Sequence, residues 1–370
     1  MSKVIGIDLG TTFSAIASLD DLGNPEVLAS IEDNRKITAS AVYLKDKEVI
    51  VGDKALNYLK DQSKNVILQT KREMENDVVY STEEGKWVND KNLVDVYTPA
   101  QVSALILKKL KEYTNDVKKV VITVPAMFAE KARQATLDAA KIADLEVIEL
   151  INEPTAAVLH YASLPGVEVG GRVMIFDLGG GTFDVTFAEV KNKKVDVMTS
   201  RGDKYLGGRD FDKEITKLMK KKYFDIHNVE IDIENNKEYI HKAEEVKKIL
   251  SVKDKANIEI NGPKGSQKIE ITQEEFEESI QTYIEKIKML IEEAMEASGM
   301  NPSRINQTLL VGGSTRMPII TKVLTQMMGK PPVKGVNVDE AVVCGAAIYA
   351  GLKTEKETLS DQQQEALKEV

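Results

Sequence analysis

The chain has 370 residues, of which 42% are hydrophobic, so it is long enough for two or three domains with real cores. Its 50 basic and 59 acidic side chains give a net charge of −9 and are mixed along the sequence, which argues against a surface for nucleic acid or an anionic membrane. The single cysteine, the lack of a charged-then-apolar leader and the lack of an apolar run of about 20 residues exclude a disulfide framework and predict a cytoplasmic protein that does not span a membrane.

Short strand-like runs alternate with helical patterns in the first half of the chain, and this alternation predicts an α/β protein. A helix is predicted at residues 99–113, where the apolar positions share one face. The predicted strands are at residues 3–9, 13–19, 119–124 and 146–151.

A break rich in glycine and proline, at residues 164–171, precedes a second series of elements. Its strands are predicted at residues 173–176, 182–190 and 194–199, and its helices at 211–223, 237–250 and 274–297. Thr272 and Glu275 form a predicted capping box at the start of the last helix. We predict one unit over residues 1–168, a second over 169–352, and a polar tail at 353–370 that is frayed or a loosely attached helix.

Two related glycine-rich stretches stand out, IDLGTTFSAI at residues 7–16 and DLGGGTFDVT at residues 177–186. A strand that ends in aspartate, followed by a glycine turn and a small hydroxyl residue, forms a hairpin whose backbone N–H groups point at a phosphate chain. Two such hairpins would close on a triphosphate from both sides, with Asp8 and Asp177 facing a magnesium ion through its water molecules. The alternative is a pair of ordinary tight turns, which the repetition of the motif makes less favoured.

A third glycine site, LLVGGSTRMP at residues 309–318, has the form of an apolar strand, a Gly312-Gly313 pair and a helix opened by Ser314 or Thr315. The pattern is explained if the backbone of this glycine turn lies close to an anion or a nucleoside. The motif is weak on its own.

Eight motifs in order resemble the ATPase domain of the seventy-kilodalton heat-shock chaperones, the DnaK family of the actin and hexokinase superfamily: IGIDLGTTFS, TVPAMF, ARQAT, INEPTAAVLHYA, IFDLGGGTFDVT, YLGGRDFD, LLVGGSTRMP and DEAVVCGAAIYAG. The resemblance covers residues 4–351. It implies a duplicated ribonuclease-H-like fold, with two lobes, each a mixed five-stranded sheet with helices, around a nucleotide cleft, and a C-terminal helix that crosses back. It also implies ATP or ADP and Mg²⁺ as cofactors, with K⁺ as a further candidate ion.

The resemblance carries over the residues that handle phosphate. Gly10, Thr11, Thr12 and Phe13 match the first phosphate turn, and Gly180, Gly181 and Thr182 match the second. Lys71 matches the lysine that holds the attacking water and the γ-phosphate, although an isolated lysine is ordinarily a solvated side chain. The carboxylates around magnesium and water are matched by Asp8, Glu153, Asp177 and Asp184.

Hydrolysis would then be an in-line attack, with Asp184 or Thr182 assisting proton movement. A structural reading of Glu153 stays open, because a carboxylate followed by Pro154 also suits the start of a helix predicted at residues 154–161.

The adenosine side is assigned in the same way. Glu244, Lys247, Lys248 and Ser251 are spaced to share one helix face, and the family's pocket implies that Glu244 and Lys247 bond the ribose while Ser251 meets the adenine edge. Lys248 and Arg316 would sandwich the ring. The turn that contacts adenosine is matched by Gly313, Ser314, Thr315 and Arg316, and the residue beneath adenosine by Asp339. A surface helix of salt bridges is the alternative.

The sequence supports only some of the binding partners that the family resemblance implies. The resemblance implies that lobe closure controls a peptide-binding module, which this sequence does not contain, so unfolded polypeptide would be bound only through another module. A J-domain co-chaperone and a nucleotide exchange factor are implied, but Glu149 and Leu137 stand where arginine and lysine are usual and would weaken such contacts. An actin-like filament former, a small-molecule kinase and a free-standing divergent ATPase stay as alternative functions.

Overall fold

The computed structural model describes residues 5–114, 117, 119–164, 170–191, 194–234, 236–334, 336–354 and 359–369, apart from the side chains of residues 361 and 369. The predicted unit boundary between residues 168 and 169 lies outside this part of the chain. No helix within these ranges combines the length and apolar character that a bilayer crossing requires.

The strands, in chain order, are β1 (Ile5–Asp8), β2 (Phe13–Leu19), β3 (Pro25–Val27), β4 (Thr38–Ala39), β5 (Ala41–Lys45), β6 (Glu48–Val51), β7 (Val66–Leu68), β8 (Val79–Ser81), β9 (Lys86–Val88), β10 (Val96–Tyr97), β11 (Lys119–Val124), β12 (Glu146–Asn152), β13 (Gly171–Leu178), β14 (Phe183–Lys191), β15 (Lys194–Asp203), β16 (Lys255–Gly262), β17 (Gly265–Thr272) and β18 (Gln307–Val311).

The α-helices are α1 (Asp53–Leu56), α2 (Leu59–Gln62), α3 (Pro99–Lys111), α4 (Glu130–Ile142), α5 (Glu153–Ser163), α6 (Gly208–His227), α7 (Lys237–Leu250), α8 (Gln273–Ser279), α9 (Gln281–Ser298), α10 (Pro318–Met328), α11 (Ala341–Lys353) and α12 (Asp361–Glu369). Short 3-10 turns cover Ser63–Asn65, Thr70–Glu73, Pro302–Arg304 and Gly313–Arg316.

The first lobe is built on a mixed sheet in the order β12-β11-β1-β2-β3, with the short β4 beside β2. Strand β1 runs parallel to β11 and antiparallel to β2. Strands β5 to β10 form two small three-stranded sheets that extend this lobe. The buried side chains of β1 and β11 pack against α3 and α4 in one core cluster.

The second lobe is built on a sheet in the order β15-β14-β13-β18, with β13 antiparallel to β14 and parallel to β18. The two-lobe α/β prediction is confirmed. The prediction of five strands in each sheet was wrong. The described residues form a four-stranded sheet in this lobe, and in the first lobe β4 adds a sixth strand.

Helix α11 packs its small residues against the first lobe. A methyl group at Gly345 would lie 1.7 Å from the carbonyl oxygen of Ala156 in α5, and one at Gly6 would lie 2.2 Å from the backbone nitrogen of Ala347. Only glycine permits so close an approach of two backbones. Cys344 is buried in this helix, and burial raises the pKa of its thiol to about 12, which makes the thiol unreactive near neutral pH.

Two predicted elements differ from the structure. The helix predicted at residues 274–297 is interrupted at Ile280, which is fully buried and separates α8 from α9. The predicted capping box is confirmed, because Glu275 N–H donates to Thr272 Oγ1 at 3.1 Å and Thr272 N–H to Glu275 Oε2 at 2.9 Å.

The tail is also more firmly attached than expected. Helix α12 buries Leu367, and Leu359 before it is buried as well. Gln363 donates from Nε2 to the carbonyl oxygen of Asp20 at 2.8 Å, and the Ser360 hydroxyl donates to that of Asp21 at 3.1 Å. The two hydrogen bonds hold the start of α12 against the β2–β3 connection, and the two buried leucines add apolar contact.

Candidate functional site

The two glycine-rich hairpins meet in the space between the lobes. A methyl group at Gly180 would lie 1.8 Å from Thr12 Oγ1, and one at Gly181 would lie 2.1 Å from Thr11 Cγ2. Any side chain at these glycines would push the hairpins apart. The glycines of the second hairpin are therefore explained by direct contact with the first.

Side-chain hydroxyls and a helix end hold the hairpins in place. Ser14 Oγ accepts from the Gly10 N–H at 3.1 Å, and Ser40 Oγ donates to the Gly10 carbonyl at 2.8 Å. In the second hairpin, the Gly179 carbonyl accepts from the N–H of Gly208 at 2.9 Å and from the Ser314 hydroxyl at 2.9 Å. The start of α6 and the third glycine site thus both support the second hairpin.

Buried charged side chains gather behind the hairpins. Lys71 Nζ lies 2.5 Å from Glu153 Oε1, and both side chains are 8% exposed. Thr123 donates from Oγ1 to Asp8 Oδ1 at 2.8 Å. Asp8, Lys71, Glu153 and Asp177 line a chamber of about 100 Å³ that is also lined by hairpin residues. Glu153 is the first residue of α5, so it opens a helix and pairs with Lys71 at the same time.

The electrostatics of this chamber are strongly perturbed. Burial, followed by the charges of Glu153, Asp184 and Asp8, raises the pKa of Asp177 well above its usual range. Burial and the charge of Glu153 raise the pKa of Asp184 to about 7. Burial alone would lower the pKa of Lys71, but the carboxylates of Glu153 and Asp8 raise it. One lysine does not neutralise four carboxylates, so the chamber suits an additional cation.

One of these carboxylates also lacks a partner. Asp184 Oδ1 is buried and accepts no hydrogen bond from the part of the chain that is described. Buried polar atoms are normally paired, so this oxygen is a candidate acceptor for a ligand, a bound water or a catalytic proton. Thr182, at the turn before β14, lines the same chamber.

A larger cleft of about 1000 Å³ opens on the other side of the hairpins. It is lined by all the residues predicted for adenosine except Thr315, namely Glu244, Lys247, Lys248, Ser251, Gly313, Ser314, Arg316 and Asp339, and by Thr11, Thr12 and Phe13. The structure therefore brings the predicted phosphate and adenosine residues to one continuous cleft. Their roles stay predictions.

Several of these side chains have partners within the cleft. Lys248 Nζ lies 2.7 Å from Glu244 Oε1 and 5.4 Å from the centre of the Phe13 ring. Arg316 pairs with Asp339 at 2.6 Å. The Ser251 hydroxyl donates to the Lys247 carbonyl of its own helix at 2.9 Å.

The third glycine site differs from expectation in one respect. Residues 313–316 form a 3-10 turn, and the helix that follows, α10, begins at Pro318 rather than at Ser314 or Thr315. Thr315 is buried and donates from its hydroxyl to the Gly312 carbonyl at 2.7 Å. Gly312 has φ 83°, a left-handed conformation that glycine adopts readily.

Sequence reasoning missed the charged groups that link the two lobes. Arg72 donates from Nε to the Gly181 carbonyl at 2.7 Å and pairs through Nη2 with Asp210 at 2.6 Å. Within the second lobe, Lys247 pairs with a carboxylate that was also missed, Asp212, at 2.8 Å. The run of acidic residues after the Gly207-Gly208 pair was a signal that these carboxylates lie at the cleft.

The two unusual residues at the expected partner surface have different environments. Glu149, in β12, accepts from the Tyr349 hydroxyl at 2.9 Å and pairs with Lys353 at 2.8 Å. The bond from Lys353 outweighs burial and lowers the pKa of Glu149. Leu137 lies half-buried on α4. Glu149 is thus engaged by the end of α11.

Comparison with known proteins places the chain in a family. The family model described as Hsp70 protein matches residues 4–364. The chaperone protein dnaK of Thalassiosira pseudonana is 37% identical over 380 residues, which cover 95% of this chain and 62% of that protein. The chaperone protein dnaK of Trieres chinensis is also 37% identical over 380 residues, with coverage of 95% and 61%. The chain thus spans about three fifths of the length of these curated relatives, and it belongs to the Hsp70 protein family.

Proposed function

We propose that this chain binds ATP and hydrolyses it to ADP and phosphate, as the ATPase domain of a DnaK-type chaperone. The observation that carries the proposal is the contact of two glycine hairpins beside a buried chamber lined by Lys71, Asp8, Glu153 and Asp177. Backbone amides at such turns bind phosphate groups without steric obstruction. Membership of the Hsp70 family supports the same reaction.

The residues present fit Mg²⁺. The chamber offers carboxylate oxygens, which this ion prefers, and their raised pKa values and the orphaned Asp184 Oδ1 indicate a missing positive charge. Among the described residues, no three His, Cys, Asp or Glu side chains could hold a metal directly. Asp8 and Asp177 would hold the ion through its water molecules, because Mg²⁺ usually keeps several of them. Bound Mg²⁺ would supply charge neutralisation at the phosphates; K⁺ stays a further candidate ion.

The chain's own residues would do the following. Lys71, held by Glu153, would orient the attacking water and the γ-phosphate. Asp184 or Thr182 would assist proton movement, and a pKa of about 7 suits Asp184 to accept the proton near neutral pH. Glu244 and Lys247 would bond the ribose.

The remaining adenosine residues complete the proposed binding mode. Ser251 would meet the adenine edge, and Lys248 and Arg316 would stack on either side of the ring. Because both cations are paired with carboxylates that line the same cleft, the base would enter beside existing ion pairs.

The chaperone role concerns a longer assembly than this chain. Nucleotide-driven closure of the lobes would control a peptide-binding module outside these residues. J-domain and exchange-factor contacts would be weakened at Glu149 and Leu137, and the pair of Glu149 with Lys353 supports this because the charge is already engaged. A filament-forming ATPase is less favoured, and sedimentation of the protein with ATP would be required to support it.

The test is ATP turnover by Lys71→Ala, with Lys191→Ala as control because the Lys191 side chain is 68% exposed. We expect Lys71→Ala to bind ATP by calorimetry but to lose turnover by about 100-fold or more, as for other positioned catalytic groups. The control should retain turnover. Equal turnover in both variants would remove Lys71 from the mechanism, and no heat on adding ATP to the wild type with Mg²⁺ would reject the function.

A further inference from the structure

Arg209 lies at the start of α6, directly beside the second hairpin. Its backbone N–H donates to the Gly180 carbonyl at 2.9 Å, and the preceding residue, Gly208, bonds Gly179 in the same way. The side chain lines the large cleft together with Thr11 and Thr12 of the first hairpin. An arginine is therefore fixed by its backbone to the turn that is proposed to bind phosphate.

Among the residues that the structure describes, the guanidinium of Arg209 has no partner. Within the described residues it donates no hydrogen bond and forms no ion pair, although burial lowers the pKa of the group. The carboxylates that act on it most strongly, Asp212, Asp210 and Glu244, are already paired with Lys247, Arg72 and Lys248. A partly desolvated cation without an anion is costly.

Every other lysine or arginine that lines this cleft has a partner. Lys54 pairs with Glu32 at 2.5 Å, and Arg35 pairs with Asp53. The remaining cations are Lys237, bonded to backbone carbonyls, and Lys247, Lys248 and Arg316, each paired with a carboxylate. Arg209 thus differs from the other cations of the described cleft in being available to a ligand.

We propose that Arg209 binds a phosphate group of the nucleotide. The proposal rests on the proposed function. It adds a phosphate-binding side chain on α6 to the backbone amides of the glycine hairpins. A guanidinium donates two parallel hydrogen bonds to a phosphate, which suits a negatively charged group better than a ribose hydroxyl. The bond between Arg209 N–H and Gly180 places the residue at the phosphate end of the cleft.

The test compares nucleotides by calorimetry in the presence of Mg²⁺. Arg209→Gln removes the charge and keeps much of the side-chain volume. Arg209→Lys keeps the charge but cannot donate the two parallel hydrogen bonds of a guanidinium. We expect Arg209→Gln to weaken ADP and ATP about tenfold or more and to leave adenosine within about twofold. Arg209→Lys should lie between the wild type and Arg209→Gln.

Arg201→Gln is the matched control, because Arg201 is exposed on β15 and bonds only to Thr199 and Ser200 of its own strand. It should bind like the wild type. Inorganic phosphate is also titrated into the ADP-bound wild type and ADP-bound Arg209→Gln. This titration tests whether Arg209 binds a phosphate group of the nucleotide or a free phosphate ion. Loss of phosphate binding with unchanged ADP affinity would overturn the proposal in favour of a free-anion site.

Two other results would also overturn it. Unchanged ADP affinity in Arg209→Gln would show that the guanidinium does not contact the nucleotide. An equal loss for adenosine and ADP would show a structural role. These outcomes differ from failure of the proposed function, in which the wild type itself binds neither ATP nor ADP.

Discussion

Replacing Lys237 by methionine should accelerate the release of bound ADP. Lys237 is the first residue of α7, the second-lobe helix that carries the predicted adenosine residues. Its Nζ donates to the carbonyls of Ser63 and Val66 at 2.8 Å each and to the Tyr80 hydroxyl at 2.7 Å, with the Gly85 carbonyl at 3.2 Å. All four acceptors belong to the first lobe, so one buried ammonium links the two walls of the cleft.

The size of the expected acceleration follows from the hydrogen-bond acceptors that lose their donor in Lys237→Met. Methionine fills much the same volume but donates nothing, so carbonyls that lie in the closed interface lose a donor. Such a loss costs about 1–3 kcal/mol per group. Val66 keeps a bond from the Tyr80 hydroxyl at 3.3 Å, which reduces the loss. A net cost of about 2–3 kcal/mol to the closed arrangement corresponds to release about 30-fold to 140-fold faster.

The assay is stopped-flow release of a fluorescent ADP analogue. Lys242→Met is the matched control, because Lys242 lies on the same helix and its ion pair with Glu238, at 2.7 Å, stays within that helix. Tyr80→Phe should give a smaller acceleration, since it removes one of the four acceptors. Equal release rates for Lys237→Met and Lys242→Met would refute the link across the cleft.

Further changes test the hairpins, the floor of the cleft and the end of α11. Gly180→Ala should abolish tight ATP binding in calorimetry, because the new methyl group would lie 1.8 Å from Thr12 Oγ1 and separate the hairpins. Arg72→Met should lower the free energy of unfolding in urea by about 3 kcal/mol, the low end for a broken buried pair, because the buried Asp210 carboxylate loses its 2.6 Å partner and, among the described residues, keeps only Lys213, at 3.8 Å, as an ion-pair partner. Glu149→Gln should cost less than about 1 kcal/mol at pH 7, since its pair with Lys353 is 42% exposed on each side. Because the folded-state pKa of Glu149 is lowered, this contribution is present above the usual value of 4.5 and is lost as the pH falls below it, so thermal midpoints of wild type and variant should converge in acid.

The local parts of the site were predictable from sequence because their chemistry is local. Aspartate, glycine and threonine in a fixed order predict a hairpin, and helical spacing predicts that Glu244, Lys247, Lys248 and Ser251 share one face. The predicted helix at residues 237–250 has the same bounds in the structure. Family resemblance supplied the roles, which spacing does not.

Contacts between distant segments were not predictable. Arg72 and Asp210 are 138 residues apart, and nothing in either neighbourhood specifies the other. The break of the long helix at Ile280 also escaped prediction, since its apolar stripe continues through the break and helical propensity is high on both sides. The tail was expected to be frayed or a loosely attached helix because it is polar with few apolar anchors, and the surface that buries Leu359 and Leu367 is distant in sequence.

The cations of the cleft suggest how closure and ligand binding depend on each other. Arg72 reaches from the first lobe to Asp210 and Gly181, and Lys237 reaches from the second lobe to first-lobe carbonyls, so the two links cross the cleft in opposite directions. Burial is the main cause that lowers the pKa of Arg209 and of Lys237, and the charge of Arg72 adds to it for Arg209, as the charge of Arg209 does for Lys237. Closing the lobes therefore brings Arg72 of the first lobe towards Arg209 and Lys237 of the second, and the repulsion that Asp210 does not cancel would be offset by an anion between them. On this argument the nucleotide's phosphates stabilise the closed cleft by their charge as well as by the backbone of the hairpins.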